Sequence, residues 1–191
     1  MNVVIIYSHP NTASLNHAIL EQVQKGLEAG KHSVETIDLY ADGFNPVLVY
    51  NEKVKRSDLV SDAETTHYRE LIKHADQLIF IYPIWWYGMP AILKGFIDRV
   101  FVSGFAYASG GKVPKGLLGN KSAWVIYTID SPAWFVKLFR KNIEWKTMKD
   151  AILNYCGIKR VEKTILAGVK KSDLNRRQKW LDIIYHKACR M

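Results

Sequence analysis

The residues best placed to do chemistry in this chain stand in three short runs, each following an apolar one. Ile84-Trp85-Trp86-Tyr87-Gly88 comes directly after Leu78-Ile79-Phe80-Ile81-Tyr82-Pro83. Ser8-His9-Pro10-Asn11-Thr12, with Ser14 and Asn16 just beyond, comes after Val3-Val4-Ile5-Ile6-Tyr7. Thr128-Ile129-Asp130-Ser131-Pro132 follows the run from Ser122 to Tyr127. Three adjacent aromatic side chains suit a flat ring partner. A polar turn leading into a helix suits an anion, because unbonded backbone N–H groups and the helix dipole converge there. His9 adds a donor, and Ser14 and Asn16 add hydroxyl and amide donors. Each run also has a plain reading: Ser14 caps a helix with no anion near it, and the rings serve equally as core or interface aromatics. The glycine patterns of dinucleotide and P-loop sites are absent.

The elements that must position these runs follow from periodicity. Leu78 to Ile81 is apolar without alternation, as in a strand covered on both faces. Gly88 is expected to let the backbone turn tightly after it. Pro90 suits the first position of a helix, and Ala91, Ile92, Leu93, Phe96, Ile97, Val100 and Phe101 then recur at helical spacing. Val3 to Tyr7 reads as the first strand, Leu15 to Ala29 as a helix ended by Gly30, and Ser33 to Leu39 as the second strand. Tyr40 to Asp62 is a long connection, a length usually functional or mobile. A helix from Ala63 to His74 precedes the central strand. Val102 to Asn120 is glycine-rich and irregular; its Phe105 and Tyr107 either close over a bound ring or pin the loop to the core. Ser122 to Tyr127 is a fourth strand, with Ser131 as a cap before Pro132. Helical segments fill Ala133 to Tyr155, broken near Asn142 to Lys146 and stopped by Gly157. Arg160 to Leu166 is a fifth strand, and a last helix starts near Asp173 with Ser172 as its cap. No internal repeat is visible.

Five strands alternating with helices predict an α/β fold with a five-stranded parallel sheet in the order 2-1-3-4-5, a flavodoxin-like three-layer sandwich. Its switch point lies between the first and third strands, which brings all three chemical runs to one sheet edge. An anion pocket beside flat aromatic walls is the outline of a flavin mononucleotide.

Composition bounds the rest. At 191 residues, 48% apolar and 24% charged, the chain reads as one globular domain over 1–191. No apolar run approaches the ~20 residues of a membrane span, so stable membrane insertion is not expected. The N-terminus reads as a strand rather than a signal peptide, and Cys156 and Cys189 have no metal or redox spacing, so a cytoplasmic location is expected. His67 with His74, and His186 with Cys189, do not make a metal site. The formal charge is +9, but the 27 Lys and Arg residues are spread along the chain, which argues against nucleic acid and for anionic small molecules.

The run P-I-W-W-Y-G-M-P-A-I-L-K-G-F-I-D-R-V-F at 83–101 closely resembles the signature of the NAD(P)H:quinone oxidoreductase (DT-diaphorase-like) family. S-H-P-N-T-A-S-L-N at 8–16, D-L-Y-A-D-G-F-N-P-V at 38–47 and G-F-A-Y at 104–107 extend the resemblance over nearly the whole chain. It implies a bound flavin, FMN or FAD, reduced by NADH or NADPH, with hydride delivery to a quinone-like small-molecule acceptor by a ping-pong mechanism. It also implies a homodimer with the flavin near the interface. By position, His9, Ser14, Leu15 and Asn16 would hold the phosphate region. Pro83, Ile84, Trp85, Trp86, Tyr87 and Gly88 would contact the isoalloxazine, with the amides of Trp86, Tyr87 and Gly88 as donors to its N5, N1 and O2 edge. Thr128, Ile129, Asp130 and Ser131 would form the remaining wall, and Phe105 and Tyr107 the acceptor pocket. No catalytic acid is assigned; Tyr87 and Tyr107 are the candidates for protonating a reduced acceptor, and the other role for both is as wall residues of the pocket. The chain departs from the family after the fourth strand, where relatives carry T-T-G-G; two glycines are lost and Asp130 adds a charge. It also lacks the C-terminal extension that shapes the adenine end of FAD in longer members, which favours FMN. The alternative is a regulatory subunit of a potassium-efflux-type membrane system.

Overall fold

A computed structural model describes residues 1–53, 55–108 and 114–191. Residues 109–113 of the glycine-rich stretch lie outside it. Five strands, β1 (Asn2–Tyr7), β2 (Ser33–Asp38), β3 (Gln77–Pro83), β4 (Ser122–Ile129) and β5 (Arg160–Ala167), form one parallel sheet in the order β2-β1-β3-β4-β5. The expected topology is the observed one.

The sequence pattern follows the place of each strand in the sheet. All seven residues of β3 are buried, and so are the last seven of β4, because both have helices above and below. β2 and β5 lie at the edges and alternate toward water. Helices α1 (Leu15–Ala29) and α6 (Leu174–Cys189) cover one face through Ile19, Val23, Leu27, Ile184 and Ala188. Helices α2 (Ala63–His74) and α3 (Ala91–Val100) cover the other through Ile72, Leu93, Phe96 and Val100. They are joined there by a π-helical segment, Thr147–Leu153, with Met148 and Leu153 in the same core.

Several boundaries differ from expectation, each for a local reason. β4 runs on to Ile129, so Thr128 and Ile129 are buried strand residues paired with Pro83, Leu166 and Ala167 rather than loop. Ser131 does not cap α4 (Ala133–Phe139); Pro132 holds that position with no side-chain bond. The break in this helical region falls at Arg140 to Asn142, where Lys141 and Asn142 take left-handed backbone with φ of 51° and 52°. The helix α5 (Ile143–Lys146) therefore occupies most of the span expected to be broken. At α6 the cap is Asp173, whose carboxylate accepts from the Arg176 amide at 2.7 Å, while the Ser172 hydroxyl donates to the Val169 carbonyl at 2.6 Å. Among the described residues, no helix is long and apolar enough to cross a membrane.

The long connection 40–62 is tied down in its described part. A 3-10 turn occupies Arg56–Ser61, and Gly95 of α3 lies so close to Pro46 that a Cβ there would stand 2.3 Å from the Pro46 carbonyl oxygen. Arg99, also on α3 and buried, donates to the Asn45 carbonyl at 2.7 Å, to Asp62 at 2.8 Å and to Glu64 at 2.7 Å. Burial pushes the Asp62 carboxyl up, but hydrogen bonds from Arg99, Thr65 and the Glu64 amide outweigh it, and the net effect is a lowered pKa.

A lowered carboxyl pKa stabilises the fold above the ordinary carboxylate range, and that contribution is lost as pH falls through the lowered value. Urea midpoints should therefore drop as pH falls from about 5 to about 3. Arg99→Met should cost about 2–3 kcal/mol at neutral pH, mostly through Asp62 because Glu64 is exposed, and should flatten that acid slope.

Candidate functional site

The three runs meet at the carboxyl edge of the sheet, and the sheet itself brings them there. Tyr7 of β1 pairs with Ile81, and Pro83 of β3 pairs with Thr128 of β4. The ladder continues past the strands through Ser8 N–H to the Ile81 carbonyl at 3.0 Å and Ile84 N–H to the Thr128 carbonyl at 2.8 Å. β3 lies between β1 and β4, so whatever joins the outer two must reach across its end.

Asn16 does so. It is buried in the first turn of α1, and its Nδ2 donates to the Thr128 hydroxyl at 2.9 Å. Its Oδ1 is buried without a partner among the described residues. A hydroxyl can donate as well as accept, so the same contact holds with the carboxamide turned over and the amide group facing the edge instead. Ser14 caps α1, its hydroxyl accepting from the His17 amide at 3.2 Å. The amides of Leu15 and Asn16, in the first turn, have no intrahelical acceptor. His9 is half-buried, and burial lowers its pKa, opposed by its backbone bond to Asn11. Its Nδ1 lies 3.1 Å from the Asn11 amide nitrogen and 3.2 Å from the Asn11 carbonyl oxygen, so the ring is tied to that backbone in either tautomer.

The aromatic run forms a tight two-residue turn. Trp85 N–H donates to the Gly88 carbonyl at 3.0 Å and Gly88 N–H to the Trp85 carbonyl at 2.9 Å. The two central residues are Trp86 and Tyr87, with φ of 52° and 59°. This is the geometry for which Asn-Gly is usual, because each side chain larger than glycine's costs about 1–2 kcal/mol there. Gly88 was expected to supply the tight turn, but its φ is not left-handed, and a Cβ on it would stand 3.7 Å from the nearest atom, the Trp85 carbonyl oxygen. The strain sits on the two aromatics instead. Among the described residues neither the Trp86 nor the Tyr87 amide donates to a protein acceptor, whereas the Gly88 amide is committed within the turn. Trp86 is fully exposed.

Side chains then tie this turn to both neighbours. His9 and Trp85 have ring centroids 6.0 Å apart. Tyr87 Oη and Ser131 Oγ are hydrogen-bonded at 3.1 Å, and the Arg140 guanidinium lies 4.6 Å from the centre of the Tyr87 ring. Arg140 was not singled out from sequence; it stands at the end of α4, just before the left-handed Lys141 and Asn142. Asp130 does not turn toward the rings. Its carboxylate accepts from the Lys170 amide at 3.1 Å, in the loop after β5. Tyr7, Tyr82 and Tyr127 are buried below the edge. Burial pushes Tyr7 up to about 12 and raises Tyr82 and Tyr127 further, with the Glu144 carboxylate, bonded by Tyr127 at 3.1 Å, adding to both.

Phe105 and Tyr107 are elsewhere. Phe105 packs on the core under α3. Tyr107 meets Tyr155 at a centroid distance of 5.0 Å and lines a cavity of about 320 Å³ with Leu48, Lys94, Phe101 and Tyr155. The walls of that cavity include no residue of the three edge runs.

A family model described as "Flavodoxin-like fold" matches residues 1–184. An uncharacterized NAD(P)H oxidoreductase of Haemophilus influenzae is 32% identical, over 98% of this chain and 94% of its own. The crystal structure of Smu.1420 from Streptococcus mutans is 45% identical with a TM-score of 0.94, covering both chains completely. The NAD(P)H:quinone oxidoreductase of Methanothermobacter marburgensis is 28% identical with a TM-score of 0.84, over 99% of this chain and 96% of its own.

Trp86 is exposed yet strained, which separates its cost from any packing. Trp86→Gly should leave the ligand-free protein as stable as the parent, or more stable by up to about 1 kcal/mol in urea unfolding, since relief of left-handed strain offsets the added chain entropy. A large loss of stability would show that the ring is packed.

Proposed function

This chain belongs to the flavodoxin-like fold family, in its NAD(P)H:quinone oxidoreductase branch, and from that membership we propose that it is a flavin-dependent oxidoreductase passing hydride from NADH or NADPH to a quinone-like acceptor. One observation carries the reading most. Two adjacent aromatic residues are held left-handed with their amides unbonded, on the same sheet edge as the open amides of the first turn of α1.

The donor set fits a flavin. The Leu15 and Asn16 amides, the Asn16 side chain and His9 suit one phosphate group at the positive end of α1. One phosphate group is what FMN carries, and FMN is the flavin of this reading. Trp85, Trp86 and Tyr87 suit a flat ring, and the Trp86 and Tyr87 amides suit its polar edge. Bound flavin would supply the hydride chemistry, which the chain's own side chains do not. The chain's part is to stack the ring, exclude water and aim amides at the edge where negative charge gathers on reduction. Gly88, whose amide closes the turn, would contribute shape rather than that donor. Ile129 and Asp130 would line the wall through backbone only. Nicotinamide and acceptor would share one pocket in turn, which gives ping-pong kinetics.

We read the working form as a homodimer. Trp134, Leu138, Phe139 and Ile143 present an exposed apolar row beside the site. The acceptor-pocket candidates Phe105 and Tyr107 lie off the edge within one chain, so a second copy is the route by which Tyr107 could serve it.

The purified protein should carry a flavin absorbance spectrum or acquire one on incubation with FMN, and heat release followed by chromatography separates FMN from FAD. NAD(P)H should bleach it, and a quinone should restore it. Asn16→Ala should weaken FMN binding about tenfold or more, through loss of a buried donor. A chain that takes up neither flavin overturns the reading. Sedimentation analysis tests the dimer, and a monomer at micromolar concentration removes the shared-pocket arrangement.

A further inference from the structure

We propose that Tyr87 is the acid that protonates the acceptor, with Ser131 and Arg140 as the residues that position its hydroxyl and favour its anion. The proposal rests on the oxidoreductase reading above. Reduction of a quinone to a hydroquinone takes one hydride and, besides it, one proton. The hydride comes from NAD(P)H by way of the flavin. The proton needs a group at the edge that can release one.

The edge offers few. Tyr7, Tyr82 and Tyr127 are buried and hold their protons well above neutrality. Burial lowers the His9 pKa, and its Nδ1 is tied to the Asn11 backbone. Asp130 faces the loop after β5. Tyr87 differs from Tyr7, Tyr82 and Tyr127 in exposure and in its neighbours. Its ring is half-buried, on the strained turn beside the fully exposed Trp86. Ser131 Oγ lies 3.1 Å from its oxygen, and the Arg140 cation lies 4.6 Å from its ring centre. The hydrogen bond with Ser131 first, and Arg140 second, hold the phenol below the usual tyrosine range; burial and the Glu144 carboxylate oppose them and do not win. Arg140 is itself fixed by the helix end, where the Arg140 and Asn142 amides both donate to the Val136 carbonyl at 3.2 Å.

In the step itself the Tyr87 O–H bond breaks and an O–H bond forms at the acceptor's carbonyl oxygen, while hydride arrives at the conjugated system. The acceptor gains two electrons and NAD(P)H has lost them. The tyrosinate, stabilised by Arg140 and by the Ser131 hydroxyl as donor, regains its proton from water through Ser131. The loss of the two family glycines after β4 then has a use: serine at 131 provides the hydroxyl that a glycine cannot.

The test uses the full chain with and without FMN. Ultraviolet difference titration of tyrosinate in the flavin-free protein should show one tyrosine ionising before the others. That early ionisation should vanish in Tyr87→Phe, move upward in Ser131→Ala and Arg140→Met, and persist in Arg140→Lys. In stopped-flow measurements on the FMN-loaded protein, Tyr87→Phe should slow reoxidation by a quinone about a hundredfold. It should slow reduction by NAD(P)H far less than reoxidation, and the parent's solvent isotope effect on reoxidation should disappear. Reoxidation as fast in Tyr87→Phe as in the parent overturns this proposal alone, as does the absence of an early tyrosine. A chain that takes up no flavin overturns the functional reading and this proposal together.

Discussion

Everything at the candidate site depends on the burial of β3 on both faces. A strand with seven buried residues has its backbone groups satisfied only by its two neighbours, so its register with β1 and β4 is fixed on both sides. The chain emerging from it therefore leaves at a defined point, between the ends of two other strands. Helices on each face follow from the same constraint, since an unalternated apolar strand must be covered twice. The dense edge of contacts at Ser8, Ile84 and Gly168, each bonded back to a neighbouring strand, is the ladder carried a residue further.

On that frame the site closes as a ring of three ties. His9 meets Trp85, Tyr87 meets Ser131 and Arg140, and Asn16 reaches Thr128 across the end of β3. Each tie joins two of the three runs, so none of the runs can shift without loosening the other two. The turn between Trp85 and Gly88 carries the cost. Two aromatic residues in left-handed backbone are about 1–2 kcal/mol each less favourable than glycine would be. A local cost of that kind persists only where the surroundings over-determine it, and it clusters where a ligand is held.

The frame was legible in the sequence because burial writes itself as periodicity. Five strands, their order and the meeting of three runs at one edge follow from apolar patterning and the switch-point rule. Local chemistry decided what was not legible. Ser131 and Ser172 are both good caps by type, yet a carboxylate at Asp173 reaches the amide at α6, and at α4 the Ser131 hydroxyl goes to Tyr87 instead. Gly88 looked like the flexible residue of its turn, because composition does not say which residue bears the positive φ. Arg140 was invisible, since its contact with Tyr87 is made from the end of α4 to a turn far away in the chain and leaves no mark in the local pattern. Tyr107 was placed by resemblance, and within one chain it lines another cavity.

The charge arrangement at the edge ties these points together. Two carboxylates of this region are engaged elsewhere: Asp130 accepts from the Lys170 amide, and Glu144 is buried behind Tyr127. What faces outward is a helix N-terminus, two open amides and the Arg140 guanidinium, all of them positive or donating. An edge built this way favours whatever becomes more negative there, whether a phosphate, a ring gaining electrons or a phenol giving up its proton. The same field would therefore hold the proposed cofactor, ease its reduction and lower the pKa of the half-buried Tyr87. After β4 the Ser131 hydroxyl and, from the end of α4, the Arg140 cation both meet Tyr87 and add to that field.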